Sequence, residues 1–333
     1  MICARKSSGS SVNGLALALL VALAATGCSF DTAPGGGITA GGTGGSGIFT
    51  LDGGDRGTLN SDAGVPTGSG PPVPITPADL GGYGLGAAVS ASTTAGGGVM
   101  AGSAGCNTVV GVARDFKGKN ESGGHPDFEA FSGSKPTLGL VEPLLGADQK
   151  PVYASKCQGG TMSSTDCPYG QQTTSQSSYD VWYRNTESTN KPYLVYFQLE
   201  SQGGVSTFSS KAFFPLDGAG WGNSGSGQDG KQHNFGFTTE LHTTFKYGGG
   251  EHFTFTGDDD LWVFINGHLA LDIGGLHPSA TGTVDLDMSA TALGITPGNN
   301  YPLELFHAER HTNASNFRVD TNFVFVDCGL IIP

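Results

Sequence analysis

From Asn107 to Cys328 short apolar runs alternate with clusters of Gly, Asn and Asp. The runs include Thr108-Val109-Val110-Gly111-Val112-Ala113, Tyr193-Leu194-Val195-Tyr196-Phe197, His233-Asn234-Phe235-Gly236-Phe237, His252-Phe253-Thr254-Phe255 and Asn322-Phe323-Val324-Phe325-Val326. Runs this short, rich in β-branched and aromatic residues and bounded by turn formers, predict many strands in a sandwich or barrel. Helical periodicity is thin, since Leu138 to Leu145 is broken by Gly139 and Pro143. The expected fold is all-β, a single large antiparallel β-sandwich or barrel domain over residues 105–333, a span that one all-β domain can fill.

The sharpest local pattern is Phe253-Thr254-Phe255-Thr256-Gly257-Asp258-Asp259-Asp260-Leu261-Trp262-Val263-Phe264-Ile265, followed by Asn266-Gly267 and a second apolar run to Ile273. Asn-Gly favours the two positive φ angles of a type I′ turn, so a tight hairpin is predicted there. Its strands are apolar on both faces, which places them inside the sandwich rather than at a wet edge.

No apolar period of 2 or 3.6 persists between Ser29 and Ala104, where Gly, Ser, Thr, Ala and Pro dominate. Such a segment buries too little surface to offset its ordering entropy, and residues 28–104 read as a disordered Gly-rich tether. Ahead of it, Arg5 and Lys6 precede an apolar stretch from Leu15 to Ala25. That is the charged and apolar pattern of a signal peptide, residues 1–27, and eleven residues are too few to span a bilayer as a helix. Ala25-Thr26-Gly27-Cys28 resembles a lipobox, with Ala25 where Leu is commoner. Cys28 is therefore the expected lipidation site of a secreted, lipid-anchored protein of the outer membrane or cell surface.

With Cys3 in the leader and Cys28 lipidated, Cys106, Cys157, Cys167 and Cys328 remain. An even count in an oxidising compartment points to two disulfides, for which three pairings are open. Cys157 and Cys167 bracket a short polar loop, and pairing them leaves Cys106 with Cys328. A formal charge of −13 argues against nucleic acid or an anionic membrane surface as a partner, and leaves the membrane reached through the lipid anchor only.

Three successive aspartates at the mouth of a hairpin repel one another unless a cation or solvent screens them. Calcium takes six to eight oxygens from carboxylates, amide and backbone carbonyls and water, and Asp258, Asp259 and Asp260 with Asp272 are the candidate ligands. The alternative is a solvated acidic turn. Gly257 to Gly267, Asp272-Ile273-Gly274-Gly275-Leu276-His277, Phe306-His307-Ala308-Glu309-Arg310-His311-Thr312 and Ser315-Asn316-Phe317-Arg318 together resemble the fibro-slime domain. That family is related to the protective-antigen type (PA-fourteen) β-barrel of microbial adhesins, flocculins and glycosidases. Arg114-Asp115-Phe116, His125-Pro126-Asp127-Phe128-Glu129, Phe213-Phe214-Pro215-Leu216-Asp217 and His233-Asn234-Phe235 extend the resemblance over residues 107 to 327. It implies a polysaccharide- or glycan-binding surface module. It also implies an adjacent aspartate pair, joined by a cis peptide, that holds a calcium coordinating sugar hydroxyls; the pair falls on Asp258-Asp259 or, one register on, Asp259-Asp260.

His307, Glu309 and His311 alternate and would share one face of a strand, as a transition-metal triad or, on the favoured reading, as a structural network with Arg310. Within the loop Gly218 to Gly230, Trp221 offers a flat apolar face to a sugar ring while Asn223, Gln228 and Asp229 supply polar contacts; a tucked-in tryptophan is the alternative. No Gly-x-Ser-x-Gly elbow or His-Glu-x-x-His motif occurs, and Glu240, Glu251 and the Asp cluster show no spacing that selects a glycosidase pair. The expected function is calcium-dependent carbohydrate binding, of cellulose or another matrix polysaccharide, for adhesion and without catalysis. The alternatives are a structural slime protein making protein contacts and a polysaccharide hydrolase.

Overall fold

The computed structural model describes residues 89–90, 106, 108–159, 165, 167–186 and 188–327. The leader, Cys28, most of the tether and Cys328 lie outside them. In chain order the first strands are β1 (Val89–Ser90), β2 (Thr108–Phe116), β3 (Val141–Leu145) and β4 (Pro151–Tyr153). A one-turn helix α1 (Gln176–Tyr179) precedes β5 (Asn190–Gln198), β6 (Glu200–Gln202), β7 (Val205–Ser210), β8 (Gly225–Ser226), β9 (Gln232–His233) and β10 (Phe237–Lys246). Then come β11 (His252–Gly257), β12 (Asp260–Ile265), β13 (His268–Ile273), β14 (Ala280–Asp285), α2 (Leu286–Leu293), β15 (Asn300–Glu309), β16 (Phe317–Thr321) and β17 (Val324–Asp327).

Two sheets carry the fold, as expected of an all-β sandwich. The larger runs β1-β5-β2-β10-β15-β12-β13-β3-β4, with β17 also pairing to β10, and the smaller runs β14-β11-β16-β7-β6. Among the described residues the pairings between these strands are antiparallel except that of Val89–Ser90, inside the segment read as tether, which lies parallel to Val195 and Tyr196 of β5. The predicted hairpin joins β12 to β13 through Asn266 and Gly267, both at positive φ (53° and 73°), with Ile265 opposite His268.

The double-sided apolar runs are explained by layers. Leu261, Val263 and Ile265 enter the core between the sheets, together with Phe197, Phe237, Phe255, Leu303, Leu305 and Phe317. Trp262 and Phe264 face the other way, onto Phe128, Tyr153, Tyr179, Trp182 and Tyr183 from the long excursion between β2 and β5. Each face of the large sheet is thus covered. The outer face of the small sheet carries Thr254, Thr256, Thr281 and Thr283, whose hydroxyls pair across β11 and β14 at 3.0 and 2.8 Å. Helix α2 has Asp285 as its N-cap, accepting Met288 N–H at 3.1 Å, and Gly294 in the left-handed region at its end. The Cys157–Cys167 disulfide is formed, with the Cα atoms 5.3 Å apart. Cys106 is also disulfide-bonded.

Candidate functional site

Both crossings between the sheets that matter here occur at one end of the sandwich. β11 of the small sheet passes to β12 of the large one through Asp258 and Asp259, and β15 of the large sheet passes to β16 of the small one through Arg310 to Asn316. The two crossings lie side by side, with Gly257 opposite Phe317 and Asp258 N–H donating to Asn316 O at 3.3 Å. Gly257 permits this approach, because a Cβ there would sit 2.4 Å from Asn316 O. Asp259 adopts φ 55°, in the left-handed region that aspartate tolerates better than most residues.

The three aspartates part company. Asp260, fully buried, accepts Arg310 Nε at 2.7 Å and Gly275 N–H at 2.6 Å, so it is the counter-ion of a buried arginine. Asp259 points one oxygen at the Arg310 and His311 backbone N–H groups, 2.9 and 3.1 Å away. Asp258 accepts the backbone N–H of Asn316 and, at 2.7 Å, its side-chain amide. Asp272 stands apart, accepting Gly139 N–H at 2.7 Å and Gly274 N–H at 3.0 Å. Neither aspartate pair is joined by a cis bond: the cis peptide among the described residues is Thr312–Asn313.

Glu309 and His307 share one face of β15, as their alternation requires, and that face is the core. Both are fully buried; neither makes a hydrogen bond of good geometry, the nearest polar groups being Ser315 and Asp259 for Glu309 and the Asp258 backbone for His307. His311 is not with them; its Nδ1 meets the Thr312 carbonyl. The transition-metal triad is therefore not assembled, and among the described residues no three His, Cys, Asp or Glu side chains form a metal-holding group. Burial, with Asp259 and Asp258 adding repulsion, pushes the Glu309 carboxyl well above the usual carboxylate range. Burial raises Asp259 to about 6 against the pull of Arg310, raises Asp258, and lowers His307 to about 3.

The Gly218 to Gly230 loop packs on the same end, where Gln228 N–H donates to Asn313 O at 3.0 Å. Asn223 is spent inside the loop, accepting Gly218 N–H at 2.7 Å and donating to Gln232 O at 2.6 Å. Asp229 accepts Lys231 N–H at 3.0 Å and faces His233 Nε2 at 3.1 Å, while His233 Nδ1 lies 2.5 Å from Asp217. Trp221 is not tucked in; it stays 37% exposed, with Lys191 Nζ 3.7 Å and Lys117 Nζ 4.3 Å from its ring centre. Glu309, expected in a structural network with Arg310, completes the site instead, together with Asn316 and the Asp217–His233 pair, to which the sequence assigned no individual role. The signal for Asn316, Asp217 and His233 was membership in the motifs of the fibro-slime resemblance, which cross between sheets or close the loop.

Residues 171–328 match the model of the PA14 domain. In Dictyostelium discoideum, Protein psiR is 37% identical over 222 residues, 62% of this chain and 21% of psiR. Protein psiC from the same organism is 38% identical over 206 residues, 60% of this chain and 38% of psiC. The chain thus spans about a fifth to two fifths of the length of these relatives. Among solved structures, a PA14 sugar-binding domain from an RTX adhesin aligns with TM-score 0.23 and 11% identity over 37% of this chain and 72% of that one. The epithelial adhesin 6 A domain from Candida glabrata, solved with Galβ1-3GlcNAc, aligns with TM-score 0.19 and 17% identity over 30% and 55% of the two chains.

Proposed function

We propose that the β domain is a carbohydrate-binding module for adhesion or extracellular matrix, and that its ligand meets the end of the sandwich where the two inter-sheet crossings adjoin. The observation that carries the reading is the gathering of three buried carboxyls, Asp258, Asp259 and Glu309, at this crest, with Asp258 and Asp259 each adding repulsion at Glu309. The match of residues 171–328 to the PA14 domain and the ordered motifs of a fibro-slime resemblance support it.

The residues fit a calcium ion on the chemistry of their donors. A hard cation needs oxygen ligands only, and Asp258, Asp259, the amide oxygen of Asn316 and nearby backbone carbonyls supply them without a third carboxylate. The buried acidic groups also need a positive charge: as they stand, burial holds Asp258, Asp259 and Glu309 toward their protonated forms. Asp258 and Asp259 would hold the ion, Asp260 would stay with Arg310, and Asp272 would take no part. When bound, calcium supplies open positions for vicinal sugar hydroxyls. The protein's own part is to fix the two aspartates through Asn316 and the Arg310 and His311 backbone, so that no reorganisation is needed when a glycan arrives.

A glycan array run with calcium and with chelator tests the reading. Binding that needs calcium and is lost in Asp259→Asn supports it; a folded domain that binds no glycan in either condition returns the structural slime-protein reading. Release of reducing sugar would be required for a hydrolase. The further proposal that Cys28 carries lipid, putting the domain on a tether at the cell surface, is tested by clickable fatty-acid labelling, which should be lost in Cys28→Ala.

A further inference from the structure

Trp221 and the aspartates share one end of the large sheet. On β10, Phe237 pairs with Asp115 on one side and with Glu309 on the other, so the tryptophan loop anchored on Asp115 stands two strands from the crest. The anchoring is rigid. Fully buried Asp115 accepts the Trp221 backbone N–H on one oxygen and the Asn234 side-chain amide on the other, the latter at 2.7 Å. Gly220, at φ 61°, lets the loop lie against that carboxylate, since a Cβ there would be 1.8 Å from Asp115 Oδ2.

Over the exposed indole sit two ammonium groups, each with one hydrogen bond to a backbone carbonyl: Lys191 to Gly220 O at 2.9 Å and Lys117 to Ser122 O at 3.0 Å. Among the described residues neither forms an ion pair with a carboxylate, a state shared with Lys119, Lys135, Lys156, Lys211 and Lys246; what sets Lys117 and Lys191 apart is that both stand over one ring. An ammonium has three donors, so each retains N–H groups to offer. In a chain of net charge −13, two cations without carboxylate partners that converge on one exposed aromatic ring are a local exception.

We propose that Lys117, Lys191 and the exposed rim of Trp221 form a subsite for the anionic substituent of an acidic polysaccharide, a uronate carboxylate or a sulfate, beside the aspartate crest. The proposal rests on the glycan-binding reading and names its ligand class. With both ammonium groups close to the ring centre, the exposed edge of the ring is left for the sugar, while the ammonium groups take the anion. Because the rest of the surface repels polyanions, the attraction is local and weakens with salt.

The full chain, with calcium present, is tested on immobilised polygalacturonate, sulfated dextran, unmodified dextran, cellulose and polyglutamate. One or both acidic polysaccharides should retain it at least about tenfold better than their neutral counterparts, a preference that should fall as salt rises. The two acidic arms distinguish carboxylate from sulfate. The double variant Lys117→Met, Lys191→Met should lose that preference with its melting temperature kept, and Lys191→Arg should preserve it. Equal retention by the double variant, or equal binding to polyglutamate, overturns the proposal. Calcium-dependent binding to neutral glycans alone overturns it and leaves the glycan-binding reading standing. Binding to no glycan overturns both.

Discussion

Glu240 and Glu309 lie on adjacent strands of one sheet, both buried, and they are treated in opposite ways. Glu240, on the face covered by the β2–β5 excursion, is gripped by Arg114 at 2.6 Å, by Lys150 and by His242. Burial alone would raise its carboxyl, but Arg114, His242 and Lys150 hold it well below the usual range. Glu309, on the face toward the other sheet, has no cation and no hydrogen bond of good geometry, only Ser315 nearby and two aspartates beside it. One glutamate is a closed structural network. The other is a crowded acidic environment under the crest with no cation to balance it, and a buried group so poorly satisfied is tolerated where it serves a site rather than the fold.

The comparison breaks first at Glu240. Glu240→Gln leaves Arg114 and Lys150 as buried cations without their counter-ion, and removing one partner of such a cluster costs about 3–5 kcal/mol. Glu309→Gln, measured without calcium, is expected to cost nothing or to stabilise, because it removes a carboxyl that burial already disfavours. Urea midpoints of the two variants decide it. Comparable losses in both would mean that Glu309 is structurally paired after all.

Glu304 sharpens the contrast. It sits on the same face as Glu240, with one buried oxygen unpartnered, and burial pushes it up to about 7. Its folded-state pKa lies above the unfolded value, so the folded protein holds the extra proton between about pH 4.5 and 7. Stability from this group therefore falls as pH rises through that window, by up to about 3 kcal/mol. Glu304→Gln should flatten that part of the stability curve and raise the neutral-pH melting temperature; an unchanged curve would mean that water reaches the carboxyl.

Why these differences were hidden in the sequence is physical. The strands, the Asn266-Gly267 hairpin and the double-sided burial of β12 were legible because period and turn chemistry are local. Helix α2 was not, since Leu286 to Leu293 has only its Asp285 cap and Gly294 stop as signals. In the site, Asp258, Asp259 and Asp260 read as one motif, yet their partners come from residues 310–316, whose place is set by the pairing of β11 with β16. Asp260 looked like a metal candidate because Arg310 is fifty residues away in sequence. Trp221 was noticed as an aromatic in a flexible loop, but Lys117 and Lys191 reach it from other segments and no spacing announces them.

Calcium tests the unsatisfied side directly. A ligand at 100 times its dissociation constant adds about 2.7 kcal/mol to stability, seen as a rise in melting temperature that chelator reverses. Asp259→Asn should lose the rise, Glu309→Gln should reduce it by removing negative charge beneath the ion, and Asp272→Asn should keep it. No heat of calcium binding at millimolar ion would return the triplet to an acidic turn without a metal role.

The smallest expected effect concerns the loop that flanks the crest. His233 offers Nδ1 to Asp217 and Nε2 to Asp229 and stacks on Phe214 at 3.9 Å. Ionised carboxylate oxygens only accept, so both contacts are hydrogen bonds only when the ring carries two protons. Burial lowers its pKa, but the bonds and charges of Asp217 and Asp229 outweigh this and raise it; Lys231, 3.6 Å from Asp229, is the opposing charge. A histidine with a raised folded pKa stabilises below its unfolded value near 6.5, and the contribution is lost as pH rises through the folded value. The tie joins Asp217, before the loop, to Asp229 at its tip, so its loss should loosen Gly225 to Gly230 without unfolding the sandwich. Hydrogen exchange, corrected for intrinsic rates, should show these amides better protected at pH 6 than at pH 8.5 in the wild type and equally protected in His233→Gln. A wild-type loop equally protected at both pH values would mean that the bridge does not hold it.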